Sequence, residues 1–244
     1  MLRNNFLKIS SLRVLIFFLT IPLSVLGQTK ITKAENIDLL TKNIHHIRHA
    51  CIKINGEKTI YIDPFKLYKS DVADLILITH DHYDHCDINA IDMIIGKETI
   101  IVAPEIAKPK LAKYKNVKYV KPDDQFQLIG VDIKTVPMYS IKNDMHPREN
   151  NYVGYVFNYE GITYYHAGDC GNIPEMKNIN TDVAFIPVDN DICMTPEEAV
   201  SAVESINPKV VVPIHLCSRN YGTNLHGKFK DICKYEVRIL SNEH

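Results

Sequence analysis

The sequence predicts an α/β domain folded as a four-layered αββα sandwich, and three observations carry that expectation. Short apolar, β-rich runs recur from position 44 to position 214. In each half of the chain these runs first follow one another closely and then alternate with helical stretches. No fixed-period repeat, low-complexity tract or Pro/Gly/Ser linker divides the chain, and its 244 residues suit one sizeable domain. Two such halves pack sheet on sheet with their helices outside.

The first 27 residues stand apart from that fold. Arg3, Lys8 and Arg13 form a basic start, and the apolar run 15–23 is short against the roughly 20 residues a membrane helix needs. Ser24-Val25-Leu26-Gly27 then offers small residues for cleavage before Gln28. This is the pattern of a secretory signal peptide. The mature domain is expected to span 28–244 and to be exported, periplasmic or secreted, with no stable membrane anchor after cleavage. An uncleaved anchor is the alternative.

Strands are expected at 44–54, 59–62, 75–79, 99–103, 117–120, 131–138, 152–159, 162–165, 183–187 and 210–214. Asn55-Gly56 supplies a hairpin turn between the first two, and Glu160-Gly161 another before Ile162. Helices are expected at 88–96, 104–113, 196–206 and 225–234. The third has the clearest start: Thr195 caps, Pro196 opens the first turn, and Glu197 and Glu198 complement the helix dipole. Ala199, Val200, Ala202, Val203 and Ile206 give it an apolar face.

Apolar residues make up 45% of the chain, enough for a substantial core, and the formal charge is −1. Such a balance sets up no global field toward nucleic acid or anionic lipid. No basic, aromatic-interleaved stretch suggests a nucleic-acid groove either, so a small-molecule substrate is the expected partner. Cys51, Cys86, Cys170, Cys193, Cys217 and Cys233 include no C-x-x-C pair. They are expected mostly as small core residues; Cys86, Cys170 and Cys217 lie one or two positions past candidate ligands, where extra thiolate ligands or a disulfide are the alternative.

The chemistry gathers around one run. Strand 75–79 leads into His80-Asp81-His82-Tyr83-Asp84-His85. Side chains two apart on an extended strand end project to one side, so His80 and His82 can grip one cation. Asp84 and His85 are adjacent, diverge, and suit a second. Imidazole and carboxylate are ligands for Zn²⁺, and this mixture also accepts Mn²⁺ or Fe²⁺. Further ligands must come from other strand ends on the same rim. Asp169 follows strand 162–165 in His166-Ala167-Gly168-Asp169, where Gly168 lets the backbone approach closely. His215 follows strand 210–214, and His146 lies in the loop before Tyr152.

These blocks resemble the metallo-β-lactamase-fold hydrolases. The sequence is most similar to the branch that holds ascorbate-phosphate-lactonase-like and N-acylphosphatidylethanolamine phospholipase D-like proteins. The resemblance rests on Arg48-His49-Ala50, Ile60-Tyr61-Ile62-Asp63-Pro64, the run 79–85, the run 164–169, Met194-Thr195-Pro196-Glu197-Glu198-Ala199 and Val212-Pro213-Ile214-His215. It implies a two-cation centre in which His80, His82 and a mid-chain histidine hold one ion. Asp84, His85 and His215 would hold the other, and Asp169 would bridge the two. The family places its mid-chain histidine directly after a strand, where this chain reads Val136-Pro137-Met138-Tyr139-Ser140; His146 is the nearby histidine and takes that role. A loop histidine beside Pro147, leaving the first ion one ligand short, is the alternative. Asp169 also argues against a true β-lactamase, since those enzymes lack the bridging aspartate.

The expected activity is metal-dependent hydrolysis. A water shared by two cations ionises near neutral pH and attacks a small ester, lactone, amide or phosphodiester, with Asp84 aiming it and Asp169 holding the pair together. His49 and His166 are expected to donate a ring N–H to a ligand carboxylate or line the pocket, and Asp63 to orient a ligand imidazole. A hydrogen-bonded core role is the alternative for each. Tyr139, Arg148, Arg219 and Tyr221 are candidates for binding an anionic substrate group or stabilising an oxyanion, with surface placement the alternative for each. Iron redox chemistry, nucleic-acid cleavage and non-catalytic metal binding are the competing functional readings.

Overall fold

The computed structural model describes residues 33–68, 70–215 and 223–240. The expected signal segment, Cys217, Arg219 and Tyr221 lie outside the described residues. Helix α1 (Lys33–Thr41) precedes strands β1 (Ile44–Arg48), β2 (Cys51–Asn55), β3 (Thr59–Ile62) and β4 (Leu75–Leu77). Then come α2 (Ile88–Ile94), β5 (Ile100–Pro104), α3 (Lys108–Leu111) and β6 (Val117–Val120). The second half runs β7 (Gln125–Leu128), β8 (Val131–Pro137), β9 (Val153–Tyr159), β10 (Ile162–His166), β11 (Val183–Pro187), α4 (Pro196–Ile206), β12 (Val210–Ile214) and α5 (Leu225–Ile232). Among the described residues no helix is long and apolar enough to cross a membrane.

The strands form two six-stranded sheets, β1-β2-β3-β4-β5-β6 and β12-β11-β10-β9-β8-β7. Each begins antiparallel and ends parallel: β3 through β6 pair in parallel, as do β10 through β12. Side-chain alternation creates the layers. Leu75 and Leu77 point into the core between the sheets with Ile60, Ile62, Val183, Phe185, Val210 and Val212. Their neighbours Ile76 and Ile78 point outward against Ala90, Ile91 and Ile94 around α2. On the other sheet Ala184 and Ile186 pack outward against Ala199, Ala202 and Val203 of α4 and Phe229 of α5. Strands covered on both faces explain the near-continuous apolar runs, and the four expected layers are those observed.

Local signals set several boundaries. Thr195 Oγ1 accepts from the Glu198 amide at 3.2 Å, and Glu198 Oε2 accepts from the Thr195 amide at 2.9 Å, a reciprocal cap that starts α4. Glu160 and Gly161 both take left-handed angles in the β9–β10 turn. The expected strand 44–54 is instead two strands, paired antiparallel with Arg48 opposite Cys51. The turn between them is made by His49 at φ 55°, with no glycine to mark it. Helix 104–113 is a 3₁₀ turn (Glu105–Ala107) followed by the four-residue α3. Strand β7 escapes the apolar pattern because two of its residues, Gln125 and Gln127, face solvent.

Two features set up the functional rim. The carboxyl ends of β3, β4, β10, β11 and β12 all deliver polar residues there: Asp63, the run from Thr79, Asp169, Asp189 and His215. The sheets are also tied together beside it. The Tyr155 hydroxyl donates to the Ile78 carbonyl at 2.7 Å, the Val153 amide to that of Thr79 at 3.1 Å, and the His215 amide to that of His49 at 2.9 Å.

Candidate metal centre

The histidines of the 80–85 run converge with residues contributed by the second sheet. His82 Nδ1 lies 3.1 Å from His80 Nε2 and 3.3 Å from His146 Nε2. His146 reaches this point from the β8–β9 loop, whose neck is closed by the Ser140 amide on the His146 carbonyl at 2.8 Å. Beside this group, donor atoms of His49, Asp84, His85 and His215 lie within 4.8 Å of one another. Asp169 sits between the two groups. Its Oδ1 is 3.1 Å from His85 Nε2, and its Oδ2 is 3.0 Å from His215 Nε2, 3.4 Å from His146 Nε2 and 3.8 Å from His80 Nε2.

These spacings fit shared cations. Two ligand atoms each about 2.1 Å from one ion, at right to tetrahedral angles, are themselves about 3.0–3.4 Å apart. His80, His85, His146, Asp169 and His215 are all buried. His85 Nε2, His215 Nε2 and Asp169 Oδ1 are buried without a hydrogen-bond partner among the described residues. They lie instead at ion-pair distances of 3.0–3.1 Å between Asp169 and the two imidazoles, a buried charged cluster whose donor set suits a bound cation.

The electrostatics point the same way. Burial, reinforced by neighbouring histidines, holds His80 well below the usual imidazole range, and burial pushes His146 down to about 4. Both therefore offer neutral lone pairs. Burial opposes ionisation of Asp169, yet His215 and His85 outweigh it and hold the carboxyl well below its ordinary range. Conversely, burial would lower His85, but Asp169 and Asp63 lift it to about 10. His215 is raised in the same way by Asp169 and Asp189. Protons thus occupy the place that a cation takes on binding.

Behind the ligands lies a layer of fixing bonds. His85 Nδ1 donates to Asp63 Oδ2 at 2.8 Å. The Thr79 hydroxyl donates to the same oxygen at 2.7 Å, and therefore accepts from His80 Nδ1 at 2.9 Å. Asp63 Oδ1 takes the Thr79 amide at 2.8 Å. His215 Nδ1 faces Asp189 Oδ2 at 3.0 Å, while Asp189 Oδ1 accepts the amides of Asp191, Ile192 and Cys193. With their Nδ1 atoms engaged, His80, His85 and His215 all present Nε2 inward. Asp63, His215 and His49 adopt left-handed backbone angles of 48°, 63° and 55°, strain of the kind stored at functional sites. Gly168, at φ 58°, leaves no room for a side chain: a Cβ would sit 2.5 Å from Met138 Sδ and 3.0 Å from Thr79 Oγ1.

Not every expected group belongs here. His166 makes no bond to a ligand carboxylate. Its Nε2 donates to the Ala50 carbonyl at 2.9 Å and its Nδ1 accepts from the Gly168 amide at 3.2 Å, so it braces backbone. The Tyr139 hydroxyl donates to Glu175 Oε2 at 2.9 Å and accepts from Arg148, whose other nitrogen pairs with Glu175 Oε1 at 2.7 Å. That triad pins the His146 loop to the segment Pro174–Asn178 instead of offering a substrate clamp. Cys86 and Cys170 are buried free thiols, each pushed up to about 12 by burial. Thr79 and Asp189 escaped the sequence reading. The rule that selected Asp169 and His215, a polar residue just past an apolar strand, also selects Asp189 after Val188.

A family model described as a beta-lactamase superfamily domain matches residues 43–215. A UPF0173 metal-dependent hydrolase from Thermococcus kodakarensis is 34% identical over 187 residues, covering 70% of this chain and 83% of that protein. The crystal structure of a protein from Parabacteroides distasonis is 33% identical, covers 82% of this chain and 93% of its own, and superposes with a TM-score of 0.74. A metallo hydrolase from Ignicoccus hospitalis shares the fold at 22% identity and a TM-score of 0.69, covering 82% and 95%. With the sandwich and the histidine–aspartate rim in place, these similarities show that the chain belongs to the beta-lactamase superfamily, as a metal-dependent hydrolase of the metallo-β-lactamase fold.

Proposed function

We propose that this protein is an exported hydrolase that holds two divalent cations, zinc foremost, and cleaves a small ester, lactone, amide or phosphodiester. The observation that carries the reading is Asp169, whose two oxygens face histidines of both clusters at 3.0–3.8 Å. His80, His82 and His146 would hold one ion, Asp84, His85 and His215 the other. When bound, such ions supply Lewis acidity and make water acidic enough to ionise near neutral pH.

The chain's own residues supply position and charge. The burial of His80, His85 and His146 keeps bulk water from the inner side of the centre. Asp84 lies at its open side, with a side chain 22% exposed. Burial disfavours its charge, but His49 and His85 outweigh that and hold its carboxyl down at about 2. Ionised at neutral pH, it accepts a hydrogen bond from the attacking water and orients it toward the substrate. Tyr83, between His82 and Asp84, is 69% exposed and T-shaped to Phe65, with ring centroids 5.8 Å apart.

Chelated and zinc-reloaded protein should be compared on lactone, carboxylic ester, amide and phosphodiester panels. Turnover of one class, abolished by chelation and restored by zinc, supports the reading. A fully loaded protein inert on all four would make it a metal-binding module. Export is tested by intact mass from the native host, which should match a chain beginning at Gln28.

A further inference from the structure

We infer that His49 is itself a metal ligand, its Nε2 completing the second cluster beside Asp84, His85 and His215. The inference rests on the two-cation reading above. The His49 side chain is 8% exposed, and its Nε2 lies 3.3 Å from Asp84 Oδ2. The pair attract each other as an ion pair, but the nitrogen is not aligned for a hydrogen bond to any described residue. The distance also matches two donors on one ion, about 3.0–3.4 Å, and donor atoms of His49, Asp84, His85 and His215 all lie within 4.8 Å of one another. The ring stands 4.0 Å from that of His215 and 5.4 Å from that of His85, centroid to centroid.

The backbone is built to put the ring there. A turn that needed only a left-handed residue is served at least cost by glycine or asparagine, yet this one holds an imidazole at φ 55°. Three bonds fix it. The His49 carbonyl accepts from His46 Nε2 at 2.8 Å and from the His215 amide at 2.9 Å, and the next carbonyl, of Ala50, accepts from His166 Nε2 at 2.9 Å. Two of these bonds come from the opposite sheet, so the turn carrying His49 is locked to the strand ends carrying His215 and Asp169. The second ion would then have five protein donors, counting Asp169, and the first four.

The test is cobalt uptake by chelated full-length protein, wild type against His49→Asn, a substitution whose backbone tolerates the left-handed turn. Wild type should bind two equivalents. The variant should bind one with unchanged affinity and the other at least about 10-fold more weakly, the lower bound set by losses of supporting groups around metal ligands. A variant that binds both equivalents like wild type overturns the assignment even if its activity falls, because His49 would then serve substrate and not metal. Wild type that takes up fewer than two equivalents defeats the two-cation reading itself. A second measurement needs no variant: in wild-type protein with isotopically nitrogen-labelled histidine, the His49 Nε2 resonance should move on zinc loading together with those of His85 and His215. A His49 resonance that stays put also refutes the inference.

Discussion

The Nδ1 of His85 donates to Asp63 Oδ2 at 2.8 Å, and that same oxygen governs His80 through the Thr79 hydroxyl. One carboxylate, itself outside both clusters, therefore aims one imidazole of each. It does so from the end of β3, where the chain takes a left-handed angle that a residue other than glycine adopts only at a cost.

Asp63→Asn should weaken both ions together. The amide can present its oxygen either to His85 and the Thr79 hydroxyl or to the Thr79 amide, and in either case its NH₂ meets donors. Metal affinity is expected to fall about 10- to 100-fold, as for other supporting residues, with kcat/KM falling in parallel at limiting zinc. Zinc-buffered titration checks this; a variant with wild-type affinity for both ions would show that the imidazoles are oriented by other means.

Gly168→Ala should disturb Asp169 through the backbone. The new methyl meets Met138 Sδ at 2.5 Å and Thr79 Oγ1 at 3.0 Å, at a φ of 58° that disfavours a side chain. A loss of about 1–3 kcal/mol is expected from backbone strain of this kind, with lower zinc affinity because Thr79 and Asp169 shift together. Denaturant melts with and without zinc measure both effects. An alanine variant as stable as wild type would mean that Met138 yields freely.

Removing the metal should expose a pH dependence. His85 rises from 6.5 in the unfolded chain to about 10 in the folded one, because Asp169 and Asp63 outweigh its burial. A raised folded value stabilises fully below 6.5, and the stabilisation is lost as pH climbs through 10. Chelated protein should therefore lose Tm across that window relative to loaded protein, in which a cation replaces the proton. Cys51, Cys86 and Cys170, each pushed up to about 12 by burial, affect both forms alike at the alkaline end. A Tm difference that is constant from pH 6.5 to 10 would contradict the assignment.

Much of this architecture is legible in residue order because its causes are local. The αββα layering follows from apolar strands covered on both faces, and the 80–85 run crowds three histidines and two aspartates onto one strand end. Helix α4 is announced by Thr195, Pro196 and Glu198. What escaped depends on distant partners. His166 looks like a site residue until the Ala50 carbonyl, 116 positions away, is seen to take its ring nitrogen. Tyr139 and Arg148 look like an anion clamp until Glu175 arrives between them. Helix α1 hides because its sequence has almost no one-sided apolar face, and the turn at His49 hides because a histidine does what glycine usually does.

Whether Asp169 joins two ions in one centre is decided by counting metal. Elemental analysis of zinc-saturated protein should give two ions per chain for wild type and fewer than one for Asp169→Asn, which keeps the side-chain shape but removes its charge. Wild type that saturates at a single ion, or a variant that retains both ions at wild-type affinity, would mean that Asp169 does not bridge a two-ion centre.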